Sequence, residues 1–288
     1  MPRAKGKQVM DVTVVGAGTL ASALTIALKR RKYRVHEILA RDNAQSVSRA
    51  RKLAKLIGAR AVASRDASLA AKVIWICVPD DAISGVARQL AARTDWQGKI
   101  AVHSSGALGS DALGPLKQAG ANVASAHPLM TFVKASKSEL DGVPFAIEGD
   151  PKAVAVVRAI VRNLGGKPFQ IAAEMKPAYH LFGFFSSPAL IALMAAGQKA
   201  GQLAGFDRRR SSALMEPIVR QTIENFFRST PQKSFSGPLR RGDLATLRKH
   251  LDVLREQPEL LSLYRSLAAI ALKELPVTNA EALRTLIR

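Results

Sequence analysis

Gly16, Gly18 and Ala21 stand in the spacing G-x-G-x-x-A, directly after the apolar run Asp11–Val15 and at the head of a helical pattern. Each has a physical reason. Gly16 permits a tight turn, Gly18 removes a side chain where a pyrophosphate approaches the backbone, and Ala21 lets helix pack closely on strand. The free N–H groups and positive dipole end of that helix favour phosphate. Gly16-Ala17-Gly18-Thr19-Leu20 is therefore read as a dinucleotide-binding turn. Arg41 follows the next strand, where a 2′-phosphate would lie, with Arg49 and Lys52 close behind. Glu37 comes too early to hold ribose hydroxyls, and Asp42 reads as a helix cap. The expected cofactor is NADP, with NAD the lesser alternative.

A second group of reactive side chains falls where later strands end. Val78-Pro79-Asp80-Asp81, His103-Ser104-Ser105-Gly106 and His127-Pro128-Leu129 each follow a short apolar run. In open α/β sheets ligands lie beyond the carboxyl ends of the strands. Val78, Pro79, Ser104 and Ser105 are thus expected at the cofactor, and Ser105 and His127 at the substrate. His103 and His127 are expected to face the reacting carbon as catalytic imidazoles, with capping or packing as the alternative for each. Lys176 and His180 are four apart and share a helix face. They are the expected acid/base pair, a surface pair being the other reading. Arg241 is expected to clamp an anionic group bidentately. Cys77, inside an apolar strand, reads as a core thiol and not a nucleophile.

These residues need a scaffold, and the patterns supply one. Strand-like runs alternate with helical patterns up to about residue 170: Asp11–Val15, Thr19–Arg30, Arg34–Leu39, Ala44–Ile57, Val73–Val78, Ile83–Ala92, Lys99–His103, Ser110–Ala119, Val123–Ala126, Pro144–Glu148 and Ala153–Asn163. That alternation predicts a doubly wound parallel sheet of Rossmann type over residues 1–170. Strand signals then vanish. Helices are expected over Glu174–Ala204, Arg208–Phe227, Asp243–Arg255, Glu259–Leu275 and Ala280–Ile287, an all-helical domain over 171–288. Pro177–Gln198 holds no charged residue and is read as a buried helix, not a membrane span.

Composition narrows the functions. The 288 residues are 48% hydrophobic and 23% charged, as in a globular chain. One cysteine excludes a disulfide framework, and no histidines pair at metal-ligand spacing, so no metal is expected. The net charge is +21, concentrated in residues 1–60 with 14 basic and 3 acidic residues. Aromatics make up only 5% and do not interleave with the basic runs, which argues against nucleic acid as partner. The basic start has no apolar stretch of secretory type, and a cytoplasmic location is expected.

Several segments together carry a resemblance: Gly16-Ala-Gly18, Val78-Pro79-Asp80, His103-Ser-Ser-Gly106, His127-Pro-Leu-Met-Thr-Phe132, Tyr179-His180, Ser236-Gly237-Pro238, Arg241-Gly242-Asp243 and His250-Leu251. From about Asp11 to Leu275 the chain resembles a bacterial family of oxidoreductases with a Rossmann-like N-terminal domain and a C-terminal helical domain of unknown function. It is more distantly similar to pyrroline-5-carboxylate reductase, the deazaflavin-dependent NADP reductases and the β-hydroxyacid dehydrogenases. The resemblance to the last implies a catalytic lysine at Lys176, although His180 stands where those enzymes carry asparagine. It also implies a homodimer through the helical domain. The reading is then an NADP-dependent oxidoreductase acting on a small carbonyl, imine or hydroxy acid, with Arg241 expected to hold an anionic group of it. The alternative is an NADP-binding sensor or scaffold without turnover.

Overall fold

A computed structural model of the protein describes residues 10–133 and 139–288. The chain divides into two compact units, Met1–Pro188 and Ala189–Arg288.

The first unit is built on one eight-stranded sheet. Its elements are β1 (Asp11–Val15), α1 (Thr19–Arg30), β2 (Arg34–Ala40), α2 (Ala44–Ile57), β3 (Arg60–Ala63), β4 (Val73–Ile76), α3 (Asp80–Ala91), β5 (Ile100–His103), α4 (Gly114–Gln118), β6 (Asn122–Pro128), β7 (Pro144–Gly149), α5 (Pro151–Asn163), β8 (Lys167–Gln170) and α6 (Lys176–Ser186). The strand order is β3-β2-β1-β4-β5-β6-β7-β8. The order reverses direction between β1 and β4, which is where such sheets open a crevice for a ligand. Central β4 is Val-Ile-Trp-Ile, with all four residues buried, as a strand covered on both faces requires. Its side chains alternate between two cores. Val73 and Trp75 join Val12, Val14 and Val102 on one face, and Ile74 and Ile76 join Val15, Ile83 and Leu113 on the other.

The expected doubly wound α/β class holds, with local differences. β7 runs antiparallel to β6, so the sheet is not wholly parallel. β3 and β8 were not expected. Arg-Ala-Val-Ala and Lys-Pro-Phe-Gln are edge strands, recruited by pairing with β2 and β7 and not by apolar content. The helix expected over Ser110–Ala119 begins as a 3-10 turn, Ser110–Leu113, before α4. Asn43, not Asp42, caps α2, its side chain accepting Ser46 N–H at 2.9 Å.

The second unit is all helical: α7 (Pro188–Leu203), α8 (Arg208–Arg228), α9 (Pro231–Ser234), α10 (Pro238–Arg241), α11 (Leu244–Leu254), α12 (Pro258–Glu274) and α13 (Ala280–Ile287). Its core is Leu247, Ala268, Leu272, Leu283 and Ile287. Asp243 caps α11 as expected. The expected helix Glu174–Ala204 is broken at Ser187, ahead of Pro188, because proline disfavours helical backbone in the residue before it.

The stretch Ala173–Leu203 meets the length and composition requirement for crossing a membrane. The expectation that it is buried is corrected: Lys176 is its only buried residue, and Leu181, Phe182 and Phe185 are each more than half exposed. The sheet takes up one face of the start of α6, and the apolar side chains further along it are exposed.

Candidate dinucleotide site and reacting edge

At the switch point the turn after β1 adopts the conformation its glycines allow. Gly16 has φ +110°, and its N–H donates to Leu39 O at 2.8 Å. A Cβ there would run into the Cys77 carbonyl. Gly16 is therefore fixed by the fold itself. Gly18 is different. Its φ of −79° suits any residue, and a Cβ on it would meet nothing within 4 Å. Neither backbone strain nor packing against the described residues requires glycine at position 18. Gly18 begins α1, which has no side-chain cap and no acidic residue in its first turn. A helix start left open in this way favours an anion.

Gly16, Ala17 and Gly18 line a cleft of about 520 Å³ together with Arg41, Ser46, Arg49, Ser64, Cys77, Val78 and Pro79. Arg41 is exposed in it. The structure thus brings together the turn, the arginine pair and the Val78-Pro79 pair. Thr19 lines a neighbouring cleft with Gly18 and Lys52, and Leu20 is half-buried in the first turn of α1. Cys77, expected inside a strand as a core thiol, falls just past β4, is half-buried and lines this cleft, and burial pushes its thiol up to about 12.

The carboxyl ends of β5 and β6 and the start of α6 form a second cluster within the same unit. His103 is fully buried, and both ring nitrogens are engaged: Nε2 with Gly109 O at 2.9 Å and Nδ1 with Ser105 N at 3.1 Å. Burial holds its pKa down to about 4, so the ring is neutral and Nε2 carries the hydrogen. The expectation of a catalytic His103 is corrected. The ring clips the Ser105–Gly109 loop and has no nitrogen left for a substrate. Ser104 is half-buried, and its hydroxyl accepts the Trp75 indole N–H at 2.8 Å and meets Cys77, which lines the cleft. Ser105 Oγ donates to Asp80 Oδ2 at 2.7 Å and accepts from Ala107 N and Leu108 N at 3.1 and 2.9 Å. Its hydroxyl hydrogen is committed to Asp80.

His127 keeps one nitrogen for chemistry. Its Nδ1 lies 2.8 Å from the Tyr179 hydroxyl, and its Nε2 edge faces Gly106. Burial lowers its pKa to about 4, with the Lys176 and His180 charges acting the same way. Tyr179 is raised to about 12 by burial and stays protonated. With the phenol donating to Nδ1, the hydrogen of the neutral ring would sit on Nε2. His180 is exposed one residue on, its ring 6.5 Å from that of His127. A Cβ on Gly106 would come within 2.8 Å of His180 and 2.9 Å of His127 Nε2, so glycine is what lets both imidazoles close on this turn.

Lys176 does not face the same way as His180. It is fully buried, and its ammonium donates to Ser105 O at 2.8 Å and to Ser125 Oγ, with Glu148 Oε1 at 4.0 Å. Glu148 in turn accepts Ser110 N–H and Ser110 Oγ, each at 2.8 Å. Burial pulls the lysine down to about 8 against the opposing pull of Glu148, Asp80 and Asp111. The alternative of a surface pair is thus corrected for Lys176, which is buried with its ammonium held under the Ser105 carbonyl. Arg241, expected to hold an anionic group, ends α10 in the second unit with an exposed side chain.

The sequence reading passed over Tyr179, Ser125 and Glu148 as site residues. Tyr179 was recoverable from its i+3 spacing to Lys176 on one helix. Glu148 was recoverable as the one charge in the apolar strand Pro144–Gly149. Ser125 carries no such signal. Among the described residues no group of His, Cys, Asp and Glu is arranged to hold a metal ion.

Residues 4–128 match the model of a Rossmann-like domain, and residues 143–270 match a domain of unknown function, DUF2520. None of the curated proteins matches the chain in sequence. Among solved structures, a Bacteroides fragilis protein named as a candidate NADP oxidoreductase is similar at 21% identity and TM-score 0.76, over 90% of this chain and 96% of that one. A Thermotoga maritima protein is similar at 27% identity and TM-score 0.70, over 96% and 98%. A reductive aminase from Aspergillus terreus, solved with NADPH and ethyl-5-oxohexanoate, is similar at 16% identity and TM-score 0.67, over 98% and 100%. The chain is a Rossmann-like domain followed by a helical DUF2520 domain.

Proposed function

We propose that this protein is an NADP(H)-dependent oxidoreductase that reduces a C=N or C=O bond of a small substrate. The observation that carries the proposal is Gly18: a bare, uncapped helix start facing open space, in one cleft with Arg41 and Arg49. That arrangement fits a pyrophosphate at the turn and a 2′-phosphate at the arginines. The similar structures, among them one named as an NADP oxidoreductase and a reductive aminase with NADPH, support the same cofactor class.

Bound nicotinamide supplies hydride to the substrate carbon. The chain's own residues do the rest. Gly16, Ala17 and Gly18 orient the phosphates, and Val78 and Pro79 form an apolar wall. His127 presents Nε2–H to the substrate heteroatom, where negative charge grows as the carbon accepts hydride. As that proton leaves, the Tyr179 phenol replaces it at Nδ1, 2.8 Å away, and is itself reprotonated from solvent. An alkoxide or amide anion is a stronger base than tyrosinate, so the transfer runs downhill. His180 adds a second, exposed imidazole beside the reacting atoms. In this reading Lys176 is no proton donor.

The exposed apolar residues Leu181, Phe182 and Phe185 support a homodimer in which a second copy covers α6. The test of the function is NADPH consumption with a panel of ketones, with and without amines, and with cyclic imines. Turnover with any of them that His127→Asn abolishes is the expected result. Tight NADPH binding with no turnover across the panel would leave the sensor reading in its place.

A further inference from the structure

Gly106 carries a backbone N–H with no partner among the described residues, although the residue is buried. Buried N–H groups are nearly always paired, so an orphan calls for an explanation. Its neighbours show how selective the gap is. Ser105 N–H goes to His103 Nδ1, and Ala107 and Leu108 N–H both go to Ser105 Oγ. Of the four N–H groups from Ser105 to Leu108, three are held inside the loop, and that of Gly106 is not.

The other end of the same peptide is unusually well served. The Ser105 carbonyl accepts the Lys176 ammonium at 2.8 Å and the Ser125 hydroxyl at 3.3 Å. All peptide bonds here are trans, and in a planar trans peptide C=O and N–H point in opposite directions. With the carbonyl aimed at the buried lysine, the N–H is aimed away from it. A full positive charge on the carbonyl oxygen draws electron density through the amide and makes the N–H a stronger donor. Gly106 also lies against His127 Nε2 and His180, the two imidazoles that face the reacting atoms.

We propose that the Ser105–Gly106 peptide is a preorganised binding site for a carbonyl oxygen, with Gly106 N–H as the donor and Lys176 as the positioning charge behind it. The network around Lys176 suits that task. Glu148 and Ser125 fix the ammonium, His103 fixes Ser105, and Asp80 fixes the Ser105 hydroxyl, so the donor is held in place before any ligand arrives. This assigns the buried lysine a role through the peptide in place of direct proton transfer. The inference rests on the reading that nicotinamide and substrate meet at this edge. Two oxygens share the required chemistry: that of the nicotinamide carboxamide and that of the substrate carbonyl.

The chain has three Ser–Gly pairs, Ser84–Gly85, Ser105–Gly106 and Ser236–Gly237. Labelling serine with carbonyl ¹³C and glycine with ¹⁵N therefore leaves three amide crosspeaks, two of them internal controls. Lys176→Met is expected to move the Gly106 amide proton upfield in the free protein and leave the controls in place, and Lys176→Arg to restore it. Should Lys176→Met unfold because Glu148 is left unpaired, Lys176→Met with Glu148→Gln removes both charges and serves instead. Saturating NADP⁺ that moves the Gly106 proton downfield, where 2′,5′-ADP does not, assigns the carboxamide. A downfield move only when acetone is added to the NADP⁺ complex assigns the substrate. A crosspeak that NADP⁺ and acetone leave in place while fluorescence shows NADP⁺ bound overturns the proposal, as does one insensitive to Lys176→Met. Failure of NADP⁺ to bind overturns the cofactor reading, and the lysine arm, read on the free protein, still decides this one.

Discussion

The phenol of Tyr179 and Nδ1 of His127 meet at 2.8 Å, joining α6 to the carboxyl end of β6 through a single hydrogen bond. In the proposed mechanism the phenol donates to Nδ1 and Nε2 carries the hydrogen, so the two residues should fail differently. His127→Asn is expected to lower kcat by about 10²–10⁴-fold, the usual scale for one acid/base group. Tyr179→Phe should cost less, because the ring remains but its tautomer is no longer dictated. NADPH affinity should be unchanged in both, measured by fluorescence titration. Loss of NADPH binding in either variant would place the pair at the cofactor.

Gly16 and Gly18 should separate folding from binding. Gly16→Ala forces an L residue to φ +110° and a methyl into the Cys77 carbonyl. It should lower stability by more than about 2 kcal/mol, read from denaturant unfolding. Gly18→Ala meets no atom of the chain within 4 Å. It should leave the unfolding midpoint in place and weaken NADPH binding at least tenfold. An unaffected NADPH affinity in Gly18→Ala would remove the cofactor from the turn.

Arg41 should decide between cofactors. Arg41→Ala is expected to weaken NADPH by about 1.5–3 kcal/mol, the range for a hydrogen bond to a charged group, and to leave NADH nearly untouched. Isothermal titration with both nucleotides measures the difference. Equal affinity of the unmodified protein for the two would contradict the assignment.

Acid should unfold the first unit through its neutral histidines. His103 and His127 are held from 6.5 down to about 4 by burial. Between those values the unfolded chain binds protons that the folded one refuses. Stability is therefore fully present above pH 6.5 and falls as pH drops towards 4. A shift of this size is worth at most about 3 kcal/mol for each ring. Thermal unfolding followed from pH 7 to 4 should show the loss, and His127→Asn should reduce its steepness.

The exposed apolar residues of α6 make a prediction about assembly. Phe182 and Phe185 are 57% and 63% exposed in the single chain. Replacing both with serine should convert a dimer to a monomer by light scattering without loss of helical signal. A wild-type monomer at micromolar concentration would contradict the assembly.

The local pattern determined much of this protein. Thr19–Arg30, Ala44–Ile57 and Ala280–Ile287 are helices with the bounds their periodicity implies, since each carries its own amphipathic stripe, and Gly58 stops the second. The turn at Gly16–Gly18 was legible because strand, glycine spacing and helix lie within one short segment. Edge strands β3 and β8, and the antiparallel direction of β7, were not legible. Pairing with a neighbour distant in sequence decides them, and four polar or mixed residues carry no period of their own.

The site divides along the same line. Histidines at strand ends could be picked out by type and position, but a residue's type does not say what its nitrogens touch. His103 is neutralised and occupied by its own loop, and His127 is left with Nε2 open, because Gly109 meets one ring and Tyr179 the other. Lys176 and His180 share a helix face by spacing, yet one points under the Ser105 carbonyl and the other outward. That division depends on β7 bringing Glu148, and β6 bringing Ser125, to the same point in space. No local pattern encodes such a meeting. Only the assembled sheet creates the buried position in which a lysine must find a carboxylate and a carbonyl.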